Sequence, residues 1–292
     1  ICLGALPART RIEVAQLMAD YRDTALGDTT DYPSHYDAGL LYPIARQRGR
    51  DELAIQSAAL PFAGFDLWTA YELSWLQPNG LPQVAIAEFT VPADSPNIIE
   101  SKSLKLYLNS LNQHRINEEY ELQLLLERDL SAAAGACVSV DLYRLEEFAA
   151  FKPINEPHGI CLDQQNIVID SYQRNDLTID AAAGESVTEL LYSHLLRTNC
   201  PVTDQPDWAT LYIAYTGPKI DRESLLRYLV SYRSHQDFHE QCVEAITLDL
   251  LKYCQPQQLT VTARYTRRGG IDINPQRSVG PAIQHNYRQV RQ

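Results

Sequence analysis

The chain has 292 residues, 45% of them hydrophobic and 21% charged, so it is globular and long enough for two ordinary domains or one large one. Its formal net charge of −12 argues against direct contact with nucleic acid, because such surfaces are basic. No apolar run reaches membrane-spanning length, Ile1–Leu6 is too short for a signal peptide, and the six cysteines form no Cys-x-x-Cys pair and no zinc-finger spacing with His, so the expectation is a cytoplasmic protein with reduced thiols.

In chain order, residues 1–60 are the least regular. Arg11–Arg22 has helical spacing through Ile12, Val14, Leu17 and Met18, and Asp28–Tyr42 reads as an extended arm or a connector. Phe65–Leu76 and Pro82–Pro92 alternate as strands around the turn Gln77–Gly80, which predicts a hairpin. Helices are predicted over Ser101–Asn112 and Glu118–Leu130, then strands over Cys137–Leu145 and Asn166–Tyr172. The second half repeats the order: strands Val187–Leu196 and Ala209–Tyr215, helices Asp221–Ser234 and His239–Cys254, then strands Thr260–Tyr265 and Ile271–Ile273.

An offset of 121 positions carries Ser103–Leu108 onto Ser224–Leu229 and Glu119 onto Glu240. Two copies of strand–strand–helix–helix–strand–strand predict an α+β protein made by duplication, with helices on one face of antiparallel sheets. The expected division is an arm over 1–60, a first repeat over 61–165 and a second over 166–292. Half-covered sheets of this kind can extend edge to edge, so self-association, as a homodimer, is expected.

Four segments carry candidate chemistry. Between two strands lies Thr198–Trp208, a loop stiffened by Pro201 and Pro206, with one thiol, Cys200, and two carboxylates, Asp204 and Asp207. A thiol attacks as thiolate, and a free pKa of roughly 8.5 means that its proton must first be moved. Such a loop suits a nucleophile and its proton partner, although a lone cysteine is most often a small buried core residue. Glu100–Lys105 opens a helix whose first N–H groups are expected to be free, so Lys102 beside them could hold a phosphate; a solvated helix start is the plainer alternative. In Asp237–Cys242, Glu240 can accept two N–H bonds from a purine-like edge, or simply serve the helix dipole. The basic stretch Arg264–Gly270 suits phosphates through its arginines and close approach through Gly269 and Gly270, or is a solvated hairpin tip.

Together these segments resemble the long form of the nitrile reductases of queuosine biosynthesis, which reduce 7-cyano-7-deazaguanine (preQ0) with NADPH. The resemblance runs from about Tyr32 to Ser278. It rests on Phe65–Trp75, Glu100–Tyr107, the Cys200 and Asp207 pair, Phe238-His239-Glu240 and Tyr265–Gly270. It implies the tunnelling fold, with tandem repeats. It also implies Cys200 as the nucleophile that forms a thioimide with the nitrile, and Asp207 as proton donor. By the same resemblance Ile99, Glu100, Ser101, His239 and Glu240 contact the substrate, and Ser101, Lys102, Arg268 and Gly269 contact NADPH. Two NADPH are consumed per nitrile, and no metal or flavin is required. The alternatives are a non-catalytic purine-binding module and a zinc-dependent cyclohydrolase-like enzyme; the second lacks a compact His/Cys cluster in the sequence.

Overall fold

The computed structural model describes residues 32–174, 178–282 and 287–292. The predicted helix Arg11–Arg22 lies outside the described residues. Strands β1 (Pro43–Ala45), β2 (Ala63–Leu76), β3 (Pro82–Pro92), β4 (Asn97–Ile99) and β5 (Ser139–Tyr143) belong to the first half, with helices α1 (Arg46–Glu52), α2 (Ser101–Ser110), α3 (Glu119–Ala134) and α4 (Leu145–Phe151). After them come β6 (Ile160–Cys161), β7 (Ala181–Asn199), β8 (Pro206–Ile220), α5 (Arg222–Ser231), α6 (His239–Cys254), β9 (Gln258–Tyr265) and β10 (Ile271–Val279).

Eight strands form one sheet in the order β5-β3-β2-β10-β9-β8-β7-β6, and β1 pairs separately with β4. Every neighbour in the large sheet is antiparallel except β6 with β7. This is the α+β, twice-repeated arrangement that the sequence implies. The turn after β2 forms as read: Leu81 N donates to Asn79 Oδ1, and Gly80 takes the positive φ of +88° that its position needs.

Strand alternation explains the two cores. Trp68, Ala70, Leu73 and Trp75 of β2 and Ala85, Ala87, Phe89 and Val91 of β3 turn to one face, where Leu104, Tyr107, Leu122, Leu126 and Leu130 of the helices cover them. The second core joins Leu211, Ile213 and Tyr215 of β8 and Val261, Ala263 and Tyr265 of β9 to Leu225, Leu229, Ile246 and Leu250. On the opposite face of β2 and β3, Phe148 of α4 packs on Tyr71 and Ile86.

The structure departs from the sequence reading in four places. β10 continues to Val279, and its Ile271 and Ile273 pack into the first core rather than the second. Asn166–Tyr172 is not a strand. Its alternation is real but reports one-sided burial: Ile167 packs on the second core while the Val168 carbonyl accepts from Arg227. The arm is no mere connector, since Tyr36 and Leu40 pack on the first core and the Tyr36 hydroxyl donates to Asp129. The offset of the second helices is 120, because buried Leu122, Leu126, Leu130 and Ala134 answer to Cys242, Ile246, Leu250 and Cys254. Glu119 therefore corresponds to His239, and Glu240 corresponds to the exposed Tyr120.

The repeat shows also in polar clamps between paired helices. Tyr107 donates to Asp129 at 2.8 Å, and Tyr228 donates to Asp249 at 2.6 Å. Ser110 returns its hydroxyl to the Tyr107 carbonyl and Ser231 to the Tyr228 carbonyl, each at 2.6 Å.

A buried ionic network joins the halves. Arg277 of β10 reaches Asp66 of β2 at 2.8 Å and Glu244 of α6 at 2.9 Å, Arg46 pairs with Asp66 at 2.5 Å, and Arg50 pairs with Glu244 at 2.8 Å. Burial opposes ionisation of both carboxyls, but the arginines overcome it and hold both below the ordinary range. Removing one member of such a network strands its partners. Arg277→Met is expected to cost roughly 3–5 kcal/mol of stability, by analogy with other broken buried pairs, read as a lower urea midpoint; a midpoint equal to wild type would show that the network is dispensable.

Candidate functional site

The predicted site residues meet at the seam between the halves. The end of the β7–β8 hairpin sets Asn199 opposite Pro206 and Thr198 opposite Asp207, so Cys200 and Asp207 are diagonal neighbours on one face. The loop between them is tied by Cys200 N donating to the Gln205 carbonyl at 2.9 Å and Asp204 N to the Cys200 carbonyl at 3.0 Å. Asp204, at a φ of 56°, turns its own carboxylate to Gln236 instead. Cys200, only 8% exposed, and Asp207 both face a cavity whose wall also includes Ile99, Ser101, His239, Glu240 and Arg268.

Arg268 and His239 frame the Asp207 carboxylate, which holds charge in a buried setting. Arg268 Nη1 donates to Oδ1, and His239 Nε2 lies 3.3 Å from Oδ2. Burial works against ionisation, yet His239 and Arg268 keep the carboxyl below its ordinary value. The His239 ring is itself fixed by stacking on Tyr265, with centroids 3.6 Å apart and planes 1° from parallel.

Glu240 follows on the first turn of α6. Burial first, and then the negative charge of Asp66, raise its carboxyl from an ordinary 4.5 to about 7, against the opposing pull of His239 and Arg46. A carboxyl so poised gains most from a ligand that offers N–H donors, since these compensate the buried anion.

The helix start of the first half corrects one expectation. The first N–H groups of α2 are not free: Glu100 caps them, accepting from Lys102 N at 2.8 Å and Ser103 N at 2.7 Å. Glu100 is buried and, unlike its neighbours Ile99 and Ser101, is not on the cavity wall. Nor are Lys102 and Gly269. The lysine on that wall is Lys105, one helical turn after Ser101 and therefore on the same face, a spacing legible in the sequence but not used. Gly269, at a φ of +63°, lets the turn close over Lys105: a Cβ there would sit 3.1 Å from Lys105 Cε. Burial and the neighbouring Arg268 pull the Lys105 ammonium down, while Glu100 and Asp207 oppose them. The cavity thus joins a thiol, an ionised acid, two cations and a protonatable acid, which fits an anionic nucleotide cofactor beside a flat N–H-bearing ring.

A second correction concerns metal ligands. The donor atoms of His235, Asp237 and Cys242 lie within 4.8 Å of one another, a compact His/Cys cluster that the sequence was read as lacking. The residues are spread across a loop and the first turn of α6, a spacing outside common zinc patterns.

A family model described as "Nitrile reductase, 7-cyano-7-deazaguanine-reductase N-term" matches residues 32–142, and one described as "QueF-like protein" matches residues 206–282. The chain is 54% identical over 258 residues to the NADPH-dependent 7-cyano-7-deazaguanine reductase of Azoarcus sp. strain BH72, covering 87% of this chain and 89% of that one. It is 54% identical over 268 residues to the protein of the same name from Chromobacterium violaceum, covering 91% and 96%. A solved structure titled as the archaeosine synthase QueF-Like in the apo form aligns over 35% of this chain and 100% of its own at 15% identity and a TM-score of 0.30, too slight a likeness to carry an argument.

The raised Glu240 carboxyl has a consequence for the free protein. A group whose folded pKa is raised stabilises fully below its unfolded pKa, and that contribution is lost as pH rises through the folded value. Between about 4.5 and about 7, Glu240 should therefore erode stability as pH increases. Glu240→Gln should narrow the difference in unfolding midpoint between the ends of that window; an unchanged difference would mean that Glu240 ionises normally.

Proposed function

Because the chain belongs to the family of NADPH-dependent 7-cyano-7-deazaguanine reductases, we propose that it reduces the preQ0 nitrile to the primary amine preQ1 through a thioimide on Cys200, as a step in making the modified tRNA nucleoside queuosine. The chain is an oxidoreductase that acts on a nitrile. One observation carries the mechanism: Cys200 and Asp207 share a face of the hairpin end, and both open on the cavity that holds Glu240.

Asp207 starts as a carboxylate, so its first act is to accept the Cys200 proton. The thiolate then adds to the nitrile carbon, and Asp207 passes the proton to the nitrile nitrogen as that atom gains charge. The carbon–sulfur bond forms, one nitrile π bond breaks, and the product is a neutral thioimide. Splitting the reduction in this way suits a nitrile, which is a weak electrophile. Glu240 accepts N–H bonds from the purine-like ring, His239 borders the same substrate, and Ile99 and Ser101 form the opposite wall. NADPH supplies hydride when bound, two electrons each, so two are used per nitrile. Ser101, Arg268 and Lys105 on the wall hold it, while Lys102 and Gly269, which the family resemblance also implied, lie off the wall. Once one hydride has reached the thioimide carbon, departure of the Cys200 thiolate would leave an imine, which the buried walls would shield from water. The reaction as written uses no metal, and the assembly is a homodimer.

The primary test is preQ0-dependent oxidation of NADPH. Wild-type protein given preQ0 alone should gain the mass of preQ0, and Cys200→Ala should bind without gaining it. An adduct on another cysteine would overturn the assignment. Asp207→Asn should slow adduct formation by about 10²–10⁴-fold with little change in unfolding midpoint; near wild-type rates would exclude the proton role.

Arg268 has two duties in this reading and so gives a double signature. Arg268→Ala should raise the KM for NADPH, and more steeply at low salt, where exposed charge pairs count most. It should also move the acidic limb of adduct formation to higher pH, because Asp207 loses a cation that favours its ionised form. A changed KM with an unmoved limb would separate the two duties.

A further inference from the structure

The two halves can be compared at one buried spot beside the site. His114 and His235 correspond: His114 N donates to the Leu111 carbonyl and His235 N to the Tyr232 carbonyl, each at 2.8 Å, and each His carbonyl accepts from the end of its strand, Leu76 or Asn199. Ile116 and Asp237 correspond in the same way, through Ile116 N to the Leu76 carbonyl and Asp237 N to the Asn199 carbonyl. Leu122 and Cys242 correspond through the helix cores. The first half thus fills the spot with a histidine and two buried aliphatic side chains. The second half keeps the histidine and substitutes a carboxylic acid and a thiol, both buried.

Exchanging aliphatic groups for a buried acid and thiol costs stability unless something compensates them. Hydrogen bonds do so only in part. Phe238 N donates to Asp237 Oδ1, but His235 Nε2, itself sequestered, sits 3.4 Å from Asp237 Oδ2 without a hydrogen-bond partner. The three donor atoms lie within 4.8 Å of one another, and the His235–Asp237 pair, at 3.4 Å, already has the spacing of about 3.5 Å found between ligands on a tetrahedral zinc ion. An imidazole, a carboxylate and a thiolate together suit a borderline ion of the zinc class and not calcium or magnesium.

We propose that His235, Asp237 and Cys242 form a binding site for a divalent ion of the zinc class. The ion ties the loop before α6 to that helix's first turn, and so steadies the segment that carries His239 and Glu240. Asp237 also lines the cavity, so the cluster borders the candidate site directly. The ion is structural and takes no part in the reduction, so the site stands or falls independently of the proposed reaction.

The test uses full-length protein, stripped by chelator under reducing conditions and titrated with Zn(II) against a chromophoric competitor, then with Co(II). Wild type should bind one equivalent, and Co(II) should give a thiolate charge-transfer band and the visible bands of tetrahedral cobalt. Cys242→Leu copies the first half, keeps the core apolar, and should fold while losing the thiolate band. His235→Gln and Asp237→Asn should each weaken Zn(II) by more than about 100-fold, since even changes outside the ligand shell cost about 10–100-fold. Cys200→Ala separates the neighbouring thiol and should retain the site. The proposal is overturned if wild type binds no stoichiometric ion, if Cys242→Leu binds as wild type does, or if Cys200→Ala abolishes binding.

Discussion

Fully buried Arg277 is held between two carboxylates from different halves of the molecule, Asp66 on β2 and Glu244 on α6. Three arginines and two acids complete one network there, and two of the arginines, Arg46 and Arg50, come from the segment that precedes the first half's sheet. Everything at the site hangs on this seam. It fixes β10 against β2, so Ile271 and Ile273 wall the cavity from one side. It also sets Asp66 near Glu240, and that charge helps to hold the carboxyl near neutrality. A buried network is an expensive way to join two sheets, and an apolar seam could do as well for stability. What the charges add is a fixed electrostatic environment for a neighbouring titratable group.

The fold was legible wherever side-chain periodicity and turn chemistry agreed. The β2–β3 hairpin, the four long helices and the duplication all followed from local pattern. Asn166–Tyr172 misled because alternation records one buried face, and a segment lying on the helix layer has one as readily as a strand does. The length of β10 was hidden for the opposite reason. Asn274, Gln276, Arg277 and Ser278 look like loop residues, yet all are buried because both neighbouring strands and the network satisfy them.

The site was legible as a set of residues but not as a geometry. Cys200, Asp207, His239 and Glu240 converge as their motifs imply. Glu100 does not join them, because its carboxylate closes its own helix end, a local bond that the sequence allows but does not require. Lys105 and Lys102 lie in the same motif, and the motif alone does not distinguish them. The difference is a helical rotation that decides which of the two faces the cavity. The repeats have also diverged unevenly. The clamps Tyr107–Asp129 and Tyr228–Asp249 persist in both, whereas Tyr120 stands, exposed, where the second half has Glu240. The packing recurs in both halves, whereas the thiol and the acids of the candidate site come from the second.

The pairing of β10 with β2 brings Ile271 opposite Ala70, and the Tyr71 hydroxyl to Asp272, across 201 positions of chain. Contacts of such separation carry the largest loop-closure cost and form late when more local units can form first. The hairpins and helix pairs of each half are local by comparison. A refolding chain can therefore regain most of its helical signal and two separate cores while it still lacks a cavity. The thiol, its acid and Arg268, all held within the second half, would already be neighbours, but the far wall would be absent until β10 met β2. Recovery of activity then times the closing of the seam, a different clock from recovery of secondary structure.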